Sequence, residues 1–169
     1  MPLIGLRQLL LAGVMAANAV ALAACQMPSF GSFGTETAAP QPALAPEMPA
    51  TIRSEEIVGR WGFVAYHDPS QRPRMEAKAK GLCGKPYVIG AGPNGGVMMH
   101  LADQPQQQEL RLKGGPGGKN YIGPPGQAGG PQDREIMSFD GKVLVMRYID
   151  TEVDGRYGTS IYVRCSSKA

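Results

Sequence analysis

The chain lacks the motifs of the common enzyme classes. No Gly-x-Ser-x-Gly elbow marks a serine nucleophile, and no Cys-x-x-Cys pair marks a redox or zinc site. The glycine-rich run before Lys119 fails as a phosphate loop, because Lys113 stands where the first glycine belongs and Asn120 follows the lysine in place of serine or threonine. We therefore expect a protein that is not an enzyme and that carries no cofactor.

Strong charge of either sign is also missing. The 169 residues include 17 basic and 14 acidic side chains, which gives a net charge of +3, and the basic residues are scattered among the acids. A surface that binds nucleic acid needs a clustered excess of positive charge. We therefore expect no nucleic-acid partner.

Histidine is scarce, since His67 and His100 are the two in the chain. His100 shares a predicted strand face with Met98, and Met137 and Met146 occur in later predicted strands. Thioether and imidazole ligands suit Cu(I), but methionine also fills irregular protein cores well. We expect the methionines to be core residues and predict no metal site.

The first 24 residues form a segment of their own. A single basic residue, Arg7, precedes an apolar stretch from Leu9 to Leu22, which is typical of a secretory signal. The stretch ends in Leu22-Ala23-Ala24-Cys25, which resembles the lipobox of bacterial lipoproteins. The resemblance implies that the chain is cut before Cys25 and that its thiol is diacylated. An ordinary cleaved signal and a retained membrane anchor are the alternatives.

The lipobox resemblance also implies where the mature protein resides. Gln26 follows the cysteine, and no aspartate stands there to indicate retention at the inner membrane. The expected location is therefore the outer membrane of a Gram-negative organism, on its periplasmic or its surface face. The membrane partner would be reached through the N-terminal lipid.

Residues 25–54 are expected to form the lipidated N-terminus and a linker. Proline and alanine dominate from Ala38 to Pro49, few large aliphatic residues occur, and no period is visible. Such a composition buries too little surface to offset the entropy lost on ordering. We interpret the segment as a semi-extended tether for a domain at residues 55–169.

Three cysteines are an odd number for an exported protein. If Cys25 carries lipid, Cys83 and Cys165 remain as a pair in an oxidising compartment, where disulfides form and persist. We predict a disulfide between Cys83 and Cys165, which would close a loop of about 80 residues.

Residues 55–169 carry the signals of an all-β fold. The 23 glycines and 15 prolines of the chain indicate many turns and little helix. Short runs with period-two alternation predict strands, and one short helix is expected at residues 75–80. The eight predicted strands are residues 57–66, 87–89, 97–101, 109–113, 120–122, 135–139, 142–149 and 156–165.

Tight turns between the predicted strands favour an antiparallel meander. Asp140-Gly141 is a strong hairpin signal, because the pair accepts the positive φ of a type I′ turn. Asp154-Gly155 predicts another turn before the last strand. Closing such a meander into a small barrel removes its exposed edges. A two-sheet sandwich is the alternative that fits the same pattern.

Gly59-Arg60-Trp61 opens the first strand and resembles the Gly-x-Trp motif of lipocalins and of the small-barrel inhibitors of bacterial proteases. The resemblance implies a lipocalin-like barrel in which Trp61 plugs the closed end and packs against an arginine from a late strand. Arg164 and Arg147 are the candidates for this cation–π contact.

Three hypotheses about function follow. The leading one is an outer-membrane-anchored lipoprotein that presents a small β-rich binding or structural module in the cell envelope, with an envelope protein as partner. The resemblance to the inhibitors implies, alternatively, a periplasmic protease inhibitor in which residues 47–56 enter the cleft of a protease. The third hypothesis is a carrier that holds a small apolar ligand inside the barrel.

Two loops are the expected contact surfaces if the domain binds a partner. Residues 114–131 are rich in glycine and proline, and residues 93–96 form a strong turn signal. Long loops without regular structure are either functional or mobile.

Overall fold

The computed structural model describes residues 47–166. The predicted signal, the lipobox with Cys25 and most of the predicted linker lie outside the described residues. Within residues 47–166, no helix has the length and apolarity needed to cross a membrane.

Eight antiparallel strands close into a barrel in chain order, from β1 to β8 and back to β1. The strands are β1 Gly59–Tyr66, β2 Tyr87–Ala91, β3 Val97–His100, β4 Gln107–Gly114, β5 Asn120–Gly123, β6 Arg134–Phe139, β7 Val143–Tyr148 and β8 Thr159–Arg164. Pairing of β1 with β8 over six residue pairs, from Trp61–Arg164 to Tyr66–Thr159, closes the barrel. The predicted all-β meander is confirmed, and closure rules out the sandwich.

Alternating side chains of the strands fill the barrel interior. Trp61, Leu110, Ile122 and Leu144 are almost completely buried there and come from four different strands. The period of two that identified the strands in the sequence therefore also selects the residues of the core.

The short helix α1 (Ser54–Ile57) precedes β1, and the longer helix α2 (Arg72–Gly81) covers the outside of β1 and β8. Ala79 and Met75 of the helix pack with Ile161 and Val163, whose side chains point away from the interior. Gly62 permits this close packing, because a Cβ at that position would lie 1.8 Å from the carbonyl oxygen of Ala79. The helix predicted at residues 75–80 is present and begins three residues earlier.

The sequence prediction missed helix α3 (Thr151–Tyr157), and the expected turn at Asp154-Gly155 lies inside it. Asp150 caps this helix, since its side chain accepts hydrogen bonds from the backbone N–H groups of Glu152 and Val153. Gly158 ends it with a φ of 70°. The last strand therefore starts at Thr159, three residues later than predicted.

The Asp140-Gly141 hairpin between β6 and β7 is present, but its turn is not type I′. Gly141 has a φ of 82°, whereas Asp140 has no positive φ. The Asp140 carboxylate instead accepts hydrogen bonds from the backbone N–H groups of Lys142 and Val143, and these lower its pKa. At Asp140, side-chain capping thus replaces the left-handed conformation of a type I′ turn.

Cys83 and Cys165 lie together as predicted, with their sulfur atoms within bonding distance and their Cα atoms 5.5 Å apart. Cys83 lies before β2, in the helical turn Leu82–Gly84 that follows α2. The pair therefore joins the end of β8 to the outer helix, while the hydrogen bonds between β1 and β8 close the barrel.

Candidate ligand-binding pocket

The two ends of the barrel differ, and one of them is plugged. Trp61 fills this end and donates a hydrogen bond from Nε1 to the carbonyl of Ile57, at 2.9 Å, in the short helix α1 (Ser54–Ile57). Of the two arginines that the sequence offered, it is Arg164 whose guanidinium lies over the indole, 4.1 Å from the ring centre. The guanidinium of Arg147 instead lies 3.8 Å from the carboxylate of Glu135.

Arg164 also holds the backbone around the plug. Its guanidinium donates hydrogen bonds to the carbonyl groups of Gly141, Val58 and Glu56. Partial burial lowers its pKa, yet an arginine remains protonated at neutral pH. Gly59 leaves room for this side chain, since it adopts a φ of 149° and a Cβ there would lie 2.7 Å from Nη1 of Arg164.

The segment that leads into α1 and the first residue of that helix pack onto the barrel instead of extending from it. The carbonyl of Met48 accepts a hydrogen bond from the backbone N–H of Gly114, at 2.9 Å. The backbone N–H of Thr51 donates to the side chain of Asn120, at 2.8 Å. Ser54 donates to the carbonyl of Gly95. Ordered contacts therefore reach into the stretch that the sequence assigned to the linker and to an inhibitory arm.

At the opposite end the barrel opens into a pocket of about 600 Å³. Apolar and aromatic side chains make up most of its wall, together with a few polar groups. The lining residues are Phe63, Ala65, Tyr87, His100, Leu101, Ala102, Asp103, Gln104, Pro105, Arg134, Tyr148, Tyr157, Ser160 and Tyr162.

Three aromatic rings from β1, β2 and β8 form one wall of the pocket. The ring centres of Phe63 and Tyr162 are 4.7 Å apart, and Tyr87 lies 5.6–5.7 Å from both. Phe63 is 38 % exposed although it is a large apolar residue. Such a wall offers a flat ring of a ligand several aromatic surfaces to stack on.

The hydroxyl of Tyr87 and the neighbouring His100 are fixed by two hydrogen bonds. The backbone N–H of His100 donates to the Tyr87 oxygen, and the same oxygen lies 3.0 Å from Nδ1 of the imidazole. Burial raises the pKa of Tyr162, so its hydroxyl is neutral at ordinary pH. The aromatic wall therefore presents uncharged rings.

One buried side chain of the pocket lining carries a positive charge. Arg134, at the start of β6, is only 3 % exposed. One guanidinium nitrogen donates to the carbonyl of His100, and the group lies over the ring of Tyr148, 4.9 Å from its centre. Nε of Arg134 is buried and has no hydrogen-bond partner within residues 47–166.

The rim of the pocket is clamped by an ion pair. Asp103, in the loop between β3 and β4, accepts two hydrogen bonds from the Arg156 guanidinium, at 2.8 and 3.0 Å, and a third from the Tyr157 hydroxyl. These bonds lower the pKa of Asp103, and those from Arg156 have the largest effect. The hydrogen bond to Asp103 raises the pKa of Tyr157. Helix α3, which carries Arg156 and Tyr157, thus holds the loop in place.

The two loops expected as contact surfaces lie outside the pocket lining. The stretch at residues 114–131 contains β5 and is held in place by Lys113. The Lys113 ammonium forms an ion pair with the buried carboxylate of Asp133, at 2.6 Å, and also donates hydrogen bonds to two carbonyl groups of the stretch. Asp133 accepts from the backbone N–H groups of Gly129 and Gly130. Glu109 holds the turn at residues 93–96 in the same way.

The sulfur-containing and histidine candidates are not assembled into one site. Met146 lies in the interior, Met137 is 48 % exposed, and His100 is bonded to Tyr87. Among residues 47–166, no cluster of three or more His, Cys, Asp or Glu side chains is placed to hold a metal ion.

Sequence reasoning did not single out the pocket residues, because alternation along a strand places a side chain inside the barrel without showing whether it lies in the core or at an open end. Phe63 follows Trp61 at the spacing of two that keeps side chains on one face of a strand, and Tyr162 precedes Arg164 in the same way. Arg134 directly preceded the strand predicted at residues 135–139. An arginine two positions before the inward-facing Ile136 was the available signal for a charge inside the barrel.

No protein-family model, curated protein or solved structure matches this chain.

Proposed function

We propose that the protein is a lipid-anchored binding module of the cell envelope, whose barrel takes up a small, mainly aromatic or apolar molecule. The observation that carries this proposal is the open pocket of about 600 Å³ with its aromatic wall. Ligand sites for small molecules typically have volumes of roughly 300–1,000 Å³, an apolar lining and a few polar groups. The pocket meets each of these criteria.

The plugged end supports a binding role over a passage. Trp61 is fully buried, and Arg164 covers its ring and bonds to three backbone carbonyl groups around it. A molecule that enters past Phe63 therefore meets a closed floor and returns by the same route. A barrel that is open at one end and closed at the other supports the ligand-carrier hypothesis.

The dye N-phenylnaphthylamine, which is neutral and brightens in apolar surroundings, tests this proposal. The protein for the assay is residues 25–169 with Cys25→Ser, exported behind a signal peptide without a lipobox; we call it the soluble mature chain. Ala65 lines the pocket, so Ala65→Trp should fill the mouth and weaken dye binding by roughly tenfold or more.

Val88→Trp is the matched control, because Val88 is 51 % exposed on β2 and does not line the pocket. It adds the same indole to the outer surface and should bind the dye like the unsubstituted chain. Equal binding by the two tryptophan variants would place the dye elsewhere and contradict the proposal. Absence of binding to the unsubstituted chain would do the same.

The membrane anchor in this proposal rests on the lipobox resemblance at Leu22-Ala23-Ala24-Cys25. In cells, labelled palmitate should enter the unsubstituted full chain and not the Cys25→Ser variant, because a serine hydroxyl does not replace the thiol in the thioether. Lack of label in the unsubstituted chain would overturn the anchor and, with it, the outer-membrane location.

The protease-inhibitor alternative finds less support in the contacts of residues 47–56. An inhibitory arm must be free to enter a protease cleft, whereas Met48, Thr51 and Ser54 are hydrogen-bonded to the barrel. Incubation of the soluble mature chain with secreted metalloproteases and serine proteases separates the two functions. The binding-module proposal predicts no inhibition at micromolar protein.

A further inference from the structure

Arg134 carries a buried charge that has no counter-ion among the described residues. Arginine side chains carry a positive charge in proteins, and only 3 % of Arg134 is exposed. Ion pairs within residues 47–166 link other side chains, and none of them includes Arg134. A buried charge that lacks a partner is strongly unfavourable, so a fold that keeps one needs a reason.

The contacts that Arg134 does make offset only part of this cost. The carbonyl of His100 accepts one hydrogen bond, and the π-face of Tyr148 lies 4.9 Å from the guanidinium carbon. Both are dipolar or quadrupolar partners, and neither carries a negative charge. Nε is buried and finds no acceptor in the described part of the chain, so the guanidinium can still donate a hydrogen bond.

The other charged groups of the pocket leave the charge of Arg134 unbalanced. Asp103 is the acidic residue of the lining, and Arg156 already neutralises it through two hydrogen bonds at the rim. Tyr162 stays neutral, because burial raises its pKa more strongly than the charge of Arg134 lowers it. The pocket therefore combines uncharged aromatic walls with one net positive charge.

We propose that Arg134 recognises an anionic group, so that the ligand of the pocket is an organic anion with an aromatic or apolar body and a carboxylate or similar acid. This inference rests on the proposed function, since it specifies the ligand of the same pocket. The acid meets a guanidinium whose desolvation has already occurred on folding, which strengthens the charge-assisted hydrogen bond. The body of the ligand packs against Phe63, Tyr87 and Tyr162.

A matched pair of probes tests the inference. Naphthoate and naphthamide share one ring system and nearly one shape, and they differ in the negative charge. Calorimetric titration of the soluble mature chain should show naphthoate binding roughly tenfold or more tightly than naphthamide. In Arg134→Gln this preference should fall to within roughly threefold, through weaker binding of the acid.

Arg60→Gln is the control for loss of one positive charge, since Arg60 is exposed on β1 and does not line the pocket. It should keep the preference for naphthoate, and so should Arg134→Lys, which retains a cation in the pocket. Arg134→Gln should unfold at the same temperature as the unsubstituted chain or a higher one, because it removes an unpaired buried charge. A purely structural arginine would instead leave a less stable protein.

The outcomes separate this inference from the proposed function. If the unsubstituted chain binds N-phenylnaphthylamine and shows no preference for naphthoate over naphthamide, the inference is wrong and the binding module stands. If it does not bind the dye, the binding module itself is wrong, and the inference that rests on it fails as well. A preference for naphthoate that persists in Arg134→Gln would assign the anion to another group and also contradict the inference.

Discussion

At the scale of single residues, Arg164 contributes more than a surface arginine usually does. It contacts the face of Trp61 and donates hydrogen bonds to three backbone carbonyl groups, whereas Arg147 is 47 % exposed and pairs with Glu135 at 3.8 Å. A partly desolvated cation–π contact contributes about 0.5–2 kcal/mol, and hydrogen bonds from a charged group about 1.5–3 kcal/mol. Arg164 and Arg147 therefore contribute unequally to stability, although the sequence offers both as partners of Trp61.

We expect Arg164→Ala to lower the free energy of unfolding by about 2–4 kcal/mol, because it uncovers the indole and leaves carbonyl groups without donors. Arg147→Ala should change it by less than about 0.5 kcal/mol, as is usual for an exposed ion pair. Urea denaturation of the soluble mature chain measures both values. Equal effects of the two substitutions would contradict the role assigned to Arg164.

At the scale of secondary-structure elements, α3 and the loop between β3 and β4 behave as one unit at the pocket rim. Asp103 adopts a φ of 58°, which is unusual for a residue other than glycine, and its carboxylate is fixed by Arg156 and Tyr157. Charge-assisted bonds from one helix thus hold a loop in a conformation that it would rarely adopt alone.

The pKa of Asp103 gives this clamp a defined pH range. Because the pKa is lowered in the folded protein, chiefly by the Arg156 hydrogen bonds, the clamp stabilises the fold fully above the usual value of 3.8. Its contribution is lost as the pH falls through the lowered folded value. The rim of the pocket should therefore stay intact from neutral pH down to about 4.

Carbon NMR of the Asp103 carboxyl measures this directly. The titration midpoint should lie below 3.8, and Arg156→Gln should move it upward toward that value. Arg60→Gln removes a distant positive charge and should leave the midpoint where it was. A midpoint at or above 3.8 in the unsubstituted chain would show that the clamp does not form in solution.

The cysteine pair links two elements that the barrel alone does not join. Cys83 follows α2, Cys165 follows β8, and they are 82 positions apart in the chain. Replacing both by alanine should lower the free energy of unfolding by about 2–5 kcal/mol, mainly because the unfolded chain regains freedom. The barrel should still close, because the hydrogen bonds between β1 and β8 are unaffected.

Chemical denaturation with and without reductant checks the cysteine prediction. The soluble mature chain should resist thiol labelling when denatured without reductant, and reduction should reproduce the stability of the double alanine variant. Full labelling of both cysteines without reductant would show that the bond is absent from the exported protein.

Local sequence patterns predicted most elements, and they failed where a distant or capping contact decides. The eight strands were predictable because their short alternating runs lie between turn residues, and the only helix predicted was α2. Helix α3 was missed because Asp154-Gly155 favours a turn in isolation, while the cap provided by Asp150 and the clamp to Asp103 stabilise a helix. The spacing of charges along the chain does not reveal such pairs.

The barrel as a whole has one plugged and one open end, and local sequence patterns alone do not predict this difference. Trp61 and Phe63 are both inward-facing aromatics of β1, yet the first is fully buried and the second is 38 % exposed. They differ in what covers them. Arg164 and α1 cover Trp61, whereas Phe63 faces the open pocket. Which inward residues line a site therefore depends on what closes each end.

Residue-resolved NMR of the soluble mature chain during titration with N-phenylnaphthylamine tests the central claim, that the open end of the barrel is the ligand site. We predict that the backbone signals of Phe63, Ala65 and Ser160 shift with a single saturable affinity. The signals of Ile57, at the plugged end, and Val145, on the outer face, should stay in place. Shifts confined to the outer face or to the plugged end, or no saturable shifts, would contradict the account.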